Sequence, residues 1–234
     1  MQRSFEEVRS KLALALDVDD LVVATRLARQ LGTYFSTIKV GLELFCATGP
    51  ESVGALSNLG YDLFLDVKLH DIPTTVQKAS KVLGGLGARY ITLHAFGGVE
   101  MLRAGVEGLS EGAAEAGATP PTALAVTILT SDGGAPEHIL PARLDLALRA
   151  GCGGYVCAAS DLVVAKRLAP DLFGVVAGIR PVGAERHDQT RAATPQEAYD
   201  NGADLMVIGR AVTGAADPVA AAEAIFTSLV IGNS

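Results

Sequence analysis

The chain has 234 residues, 49% of them apolar and 19% charged, which excludes a disordered polypeptide and suits one large domain with a sizeable core. A net charge of −7 and a pI near 5.1 exclude a broad nucleic-acid-binding surface, so any phosphate has to be held by a few local groups. No apolar run approaches the roughly 20 residues of a membrane-spanning helix.

In chain order, short apolar runs occupy residues 12–18, 36–41, 63–69, 90–95, 122–129, 154–159, 174–179 and 205–209. Helix-like patterns lie between them, for example over 20–31, 74–86, 99–116 and 217–229. Alternation of this kind implies a parallel sheet with right-handed crossovers, and eight repeats in this length favour closure into an α/β fold, a (β/α)8 TIM barrel. Residues 1–234 read as one domain, with 112–121 as a loose connection. The polar, charged start from Met1 to Lys11 is unlike a secretory leader. Cys46, Cys152 and Cys157 are odd in number and lack metal-ligand spacing, so a reduced cytoplasmic setting is expected and none of them is assigned to catalysis.

In such barrels the chemistry gathers at the C-terminal ends of the strands. Polar residues recur there: Asp17 at the end of the first run, Lys39 in the second, Asp66 and Lys68 in the third. Thr127 stands in the fifth with Thr130 and Ser131 just after it, Arg180 after the seventh and Arg210 after the eighth.

The third run, Phe64-Leu65-Asp66-Val67-Lys68-Leu69-His70-Asp71-Ile72-Pro73, carries most information. It sets an acid, an amine and a second acid within six residues of an otherwise apolar strand, where charges are costly unless paired or used. Period-2 alternation sends Asp66 and Lys68 to one face and Leu65, Val67 and Leu69 to the other. A buried structural ion pair is the plain alternative, but it leaves Lys39 and Asp71 unexplained. Asp71 also reads as a cap for a helix opening at Pro73, and Asp17, with Asp19 and Asp20, as a cap for the second element. His94 reads as a core or supporting residue, while His70, His138 and His187 lack metal-binding spacing. Gly209 and Arg210 suit a phosphate, since the glycine admits close backbone approach and the guanidinium offers a fork of donors. Gly178-Ile179-Arg180-Pro181, followed by Asp188 and Gln189, supplies further donors, although either arginine could pair with a surface carboxylate. The segment 183–192 is the candidate lid.

Over nearly its whole length the chain resembles the orotidine 5'-monophosphate decarboxylases. The matching blocks are Ala15-Leu16-Asp17, Lys39-Val40-Gly41, the Phe64 to Pro73 run, Val126-Thr127-Ile128-Leu129-Thr130-Ser131, Gly178-Ile179-Arg180-Pro181 and Val207-Ile208-Gly209-Arg210. The resemblance implies conversion of orotidine 5'-monophosphate to uridine 5'-monophosphate in pyrimidine biosynthesis, without metal or cofactor. It implies a Lys39-Asp66-Lys68-Asp71 charge network in which Lys68 stabilises and protonates the C6 carbanion. Asp71 and Thr75 would reach across a homodimer interface, Asp17 and Thr75 would hold ribose hydroxyls, and Thr130 and Ser131 would border the pyrimidine. Arg180, Gln189, Gly209 and Arg210 would enclose the 5'-phosphate. Two departures are visible: Thr74-Thr75 stands where the family commonly has Asn-Thr, and Ala177 where it often has Pro. A magnesium-dependent sugar-phosphate decarboxylase or aldolase on the same barrel is the enzymatic alternative, but its relatives carry an acid where Lys39 stands. A non-catalytic phosphometabolite-binding barrel is the other.

Overall fold

Eight parallel strands close on themselves in sequence order, β1 pairing with both β2 and β8. They are β1 (Leu12–Leu16), β2 (Thr37–Gly41), β3 (Asp62–Leu69), β4 (Tyr90–His94), β5 (Thr122–Val126), β6 (Gly154–Ala158), β7 (Phe173–Ala177) and β8 (Leu205–Ile208). This computed structural model describes residues 3–181 and 193–232, and the architecture is the (β/α)8 barrel expected from the alternating runs.

Alternation along each strand separates two cores. In β1, Leu12, Leu14 and Leu16 face the surrounding helices, whereas Ala13 and Ala15 belong to an inner cluster with Phe64, Tyr90, Leu124, Val175, Leu205 and Val207. Aromatic rings fill the N-terminal end of that interior. Tyr90 stacks on Phe173 at 5.2 Å between centroids and meets Phe64 edge-on at 6.2 Å. With the bottom plugged, the inward residues nearer the C-terminal ends (Lys39, Asp66, Thr92) occupy the upper interior beneath the open mouth.

Several boundaries differ from the sequence pattern. Strand β5 ends at Val126 instead of residue 129, because the Thr127 N–H and hydroxyl both donate to Val156 O and Asp132 N closes a turn onto Leu129 O. The 112–121 stretch is not wholly a connection: the helix Gly98–Glu115 runs through Gly112. A Cβ there would come within 1.8 Å of Lys81 O, and one at Gly108 within 2.3 Å of Gln77 O. These glycines let that helix lie directly on Pro73–Gly84, the helix that follows β3. Asp20, not Asp17, caps the helix Leu21–Leu31, accepting Val23 N–H at 2.8 Å. Among the described residues, no helix is long and apolar enough to cross a membrane.

Candidate active site

Strands β1, β2 and β3 bring four charged side chains to one point. Registry sets Ala15 beside Lys39 and Gly41 beside Asp66, so Lys39 enters the interior from mid-strand, two residues inside the end of β2. Its Nζ lies 3.0 Å from Asp17 Oδ1 and 3.5 Å from Asp66 Oδ2. Asp66 Oδ1 in turn accepts Lys68 Nζ at 2.8 Å. The carboxylate of Asp66 therefore bridges two ammonium groups. The Asp66 and Lys39 side chains are only 13% and 10% exposed, whereas Lys68, at 31%, keeps contact with the mouth.

Burial alone would favour neutral forms of both inner groups. For Lys39 that penalty is outweighed by Asp66 and Asp17, and its pKa stands above the ordinary lysine value. For Asp66 the penalty is outweighed by Lys39 and Lys68, helped by hydrogen bonds from Lys68 and Thr92, and its pKa stands below the ordinary carboxylate value. The bridge is ionised on both sides throughout the neutral range. Gly41 gives this pair room: a Cβ there would lie 2.7 Å from Asp17 Oδ1 and 2.9 Å from Lys39 Nζ.

Asp66 and Lys68 do share a face, but simple alternation is not the reason. Strand β3 bulges against β4: Leu65 pairs with Ile91 and Leu69 with Leu93, leaving Asp66, Val67 and Lys68 opposite Thr92 alone. Lys68 takes a left-handed conformation, φ 49°, the only positive φ outside glycine among the described residues. Such a backbone costs about 1–3 kcal/mol and persists where surrounding contacts impose it.

These groups open onto a cavity of about 200 Å³ lined by Asp17, Lys39, Asp66, Lys68, Thr130, Arg180, Gly209 and Arg210. Ala15, Val126, Ile128, Leu129, Val156, Cys157, Ala177, Gly178 and Val207 complete its wall. Eight of the residues singled out from sequence thus meet in one place. Arg180 is buried, with Nη1 donating to Ile179 O at 2.8 Å, while Arg210 is exposed and opens the short helix Arg210–Thr213.

Others fall elsewhere. Thr127 is fully buried, its hydroxyl donating to Val156 O of β6, and it does not line the cavity. Ser131, Asp71 and Thr75 are exposed and do not line the cavity within one chain. Asp71 does not cap the helix after β3; its carboxylate accepts the N–H of Ile72 at 2.7 Å, and Ile72 occupies the cap position. Gln189, Asp188, His187 and the 183–192 lid candidate lie outside the described residues. Cys46 is exposed, Cys157 is buried in the cavity wall, and burial pushes the Cys152 thiol up to about 12. Among the described residues, no three His, Cys, Asp or Glu side chains form a metal-binding group.

Two contributors escaped the sequence reading. Thr92 is fully buried, and its hydroxyl accepts Lys68 N–H at 2.8 Å while donating to Asp66 Oδ1 at 3.1 Å. A β-branched residue in a buried strand is unremarkable by itself; only its inward register, two residues after Tyr90, distinguishes it. Arg143 donates to Thr127 O and so ties the helix Ile139–Ala150 to the start of the Ile128–Thr130 wall.

His94 supports this region without facing the cavity. Its Nδ1 accepts Phe96 N–H at 3.2 Å and its ring lies 5.7 Å from that of His70. Burial, then Arg143, His70 and Lys68, lower its pKa to about 4. A histidine kept neutral by the fold, but able to ionise near 6.5 when unfolded, contributes stability that is complete above that value and is lost as pH falls toward 4. Between pH 7.5 and 5 this group is expected to remove about 1–2 kcal/mol of unfolding free energy. His94→Asn, whose amide oxygen can still accept Phe96 N–H, should abolish most of that drop; urea titrations at the two pH values check it.

Comparison with known proteins bears on the whole barrel. The family model described as orotidine 5'-phosphate decarboxylase / HUMPS family matches residues 10–225. The orotidine 5'-phosphate decarboxylase of Anaeromyxobacter sp. (strain K) is 41% identical over 222 residues, spanning 94% of this chain and 98% of that protein. That of Paramagnetospirillum magneticum is 43% identical over 227 residues, spanning 92% and 97%. Among solved structures, orotidine 5'-phosphate decarboxylase from Lactobacillus acidophilus superposes with a TM-score of 0.79 at 33% identity, covering 94% of this chain and 99% of that one. The chain belongs to the orotidine 5'-phosphate decarboxylase / HUMPS family.

Proposed function

We propose that the protein decarboxylates orotidine 5'-monophosphate to uridine 5'-monophosphate, a carboxy-lyase step of de novo pyrimidine biosynthesis, in the cytoplasm and without a metal or cofactor. One observation carries the reading: a buried carboxylate clamped between two ammonium groups, one of them at the mouth of the cavity. The C6–carboxylate bond breaks, its electron pair stays on C6, and Lys68 faces that growing charge and then gives C6 a proton. Water returns a proton to the amine.

Repulsion between Asp66 and the substrate carboxylate is a smaller contribution. Two like charges ~4 Å apart cost about 4 kcal/mol at an effective dielectric of ~20, whereas difficult reactions need barrier reductions of up to ~23 kcal/mol. The rest comes from preorganised charge and from binding energy spent on remote parts of the nucleotide. Val126, Val156 and Ala177 give the wall an apolar stretch that suits neutral carbon dioxide better than a carboxylate.

In this reading Asp17 holds a ribose hydroxyl, Thr130 and Ser131 border the pyrimidine, and Arg180, Gln189, Gly209 and Arg210 enclose the phosphate. Arg210→Ala is expected to lower kcat/KM by about 10²–10³-fold. Orotidine itself should be a correspondingly poor substrate; equal handling of nucleoside and nucleotide by the unsubstituted protein would exclude the phosphate role.

Asp71 and Thr75 act from the partner protomer of a homodimer. Their exposure, next to exposed Ile72 and to His70, whose ring meets exposed Phe96 just after β4, supports an interface there. Mixing an Asp71→Ala protein with a Lys68→Ala protein is expected to restore up to about a quarter of parental activity, since random exchange leaves one intact site in half the dimers. No recovery on mixing would refute a shared site.

The sugar-phosphate branch needs an acid for its metal where this chain has Lys39. An ammonium held by Asp17 and Asp66 repels a divalent cation from that position. An absorbance assay with orotidine 5'-monophosphate in EDTA decides between the two. Undiminished turnover is expected, and inhibition by the chelator or absence of turnover would reject the proposed function.

A further inference from the structure

We infer that Thr92 is a positioning residue for the decarboxylation, its single hydroxyl holding the β3 bulge in the shape that aims Lys68 at Asp66. The inference rests on the proposed function for its kinetic consequences and on geometry alone for its structural ones.

Were β3 to run straight beside β4, Asp66 would face Thr92 and Lys68 would face His94, one inward step further along. Instead three residues, Asp66 to Lys68, stand opposite Thr92, and Lys68 takes up the extra length in a left-handed conformation before pairing resumes at Leu69. Few side chains other than glycine, asparagine or aspartate visit that conformation routinely, so something outside the residue must impose it. The Thr92 hydroxyl is placed to do so. It accepts the Lys68 backbone N–H at 2.8 Å and donates to Asp66 Oδ1 at 3.1 Å, the oxygen that also accepts Lys68 Nζ at 2.8 Å.

A threonine hydroxyl has one proton to give and lone pairs to accept with, and both functions are engaged here. One atom therefore couples the backbone of the amine-bearing residue to the carboxylate its side chain must meet. Thr92 is fully buried and does not line the cavity, so it acts through Asp66 and Lys68 and not on the substrate. Valine has the same shape and neither function. It would leave the Lys68 N–H without its acceptor and Asp66 Oδ1 short of one donor.

The test pairs kinetics with a crystal structure of the Thr92→Val protein. With orotidine 5'-monophosphate, kcat is expected to fall on the order of 100-fold, as for a displacement of about 1 Å at a reacting group. KM, and the Kd for uridine 5'-monophosphate, should change less than about threefold, because binding through ribose and phosphate is untouched. Thr92→Ser, which restores the hydroxyl, should recover most of the loss. In the crystal, Lys68 should leave its positive φ or its Nζ should move beyond about 3.5 Å from Asp66 Oδ1. If the valine protein does not fold, Thr92→Ala, which removes the hydroxyl without adding bulk, carries the same measurements.

Retention of kcat within about threefold, a serine protein as impaired as the valine one, or an unmoved Lys68 would each overturn the inference. If the unsubstituted protein does not act on orotidine 5'-monophosphate, the proposed function fails. The crystal structure alone then decides whether Thr92 holds the bulge.

Discussion

Lys68→Ala is expected to lower turnover of orotidine 5'-monophosphate by at least about 10⁴-fold while uridine 5'-monophosphate still binds within a few fold of the parent. The asymmetry follows from where charge appears. The product has no developing charge at C6, so it loses little when the amine is removed. On the proposed chemistry, the transition state loses both the cation that faces its carbanion and the proton that ends it. Among the described residues no other cation in the cavity takes over: Lys39 is committed to Asp17 and Asp66 deeper in the barrel, and Arg180 and Arg210 follow β7 and β8. Stopped-assay turnover and calorimetric titration of the product separate the two effects. Activity within 100-fold of the parent would remove Lys68 as the proton donor.

Asp66→Ala is expected to damage both activity and folding. Among the described residues Asp66 is the only carboxylate shared by the two lysines, and deleting one partner of a buried ion pair costs about 3–5 kcal/mol because the other charge is stranded. Asp17, 49% exposed, is a weaker counter-ion for Lys39. The pH range of the effect follows from the shifts. Asp66 is depressed, so its contribution is present above the unfolded value of about 3.9 and fades as pH falls through the folded one. Lys39 is raised, so its contribution is present below about 10.4 and fades only as pH climbs through its folded value. The stability difference between parent and Asp66→Ala should therefore be flat from about pH 5 to 9, as urea denaturation would reveal. Turnover of the variant should fall with that of Lys68→Ala, since an unclamped amine is no longer aimed.

Much of this was legible from residue order, and what was not has a common cause. Eight apolar runs imply eight strands because a parallel strand covered on both sides has to be apolar. Charges inside those runs, Lys39 and Asp66 above all, stand out for the same reason, and the chain indeed brings them within 3.5 Å. Long-range registry is a different matter. The bulge that holds Lys68 depends on which residue of β4 lies opposite, and Thr92 looks like any strand former until that registry is known. Gly112 reads as a breaker, yet it is there so that two helices can touch. Asp71 carries the pattern of a helix cap, while its carboxylate turns to the N–H of the next residue. Local rules identify which residues carry chemistry; contacts between elements determine how they are aimed.

The most direct measurement is a crystal structure of the protein with uridine 5'-monophosphate in the cavity. The proposed chemistry requires Lys68 Nζ to be the cation nearest C6, within about 3–3.5 Å, with Asp66 beside it and the phosphate against Gly209 and Arg210. A nucleotide bound with C6 turned away from Lys68, or with its phosphate among the lysines, would contradict it.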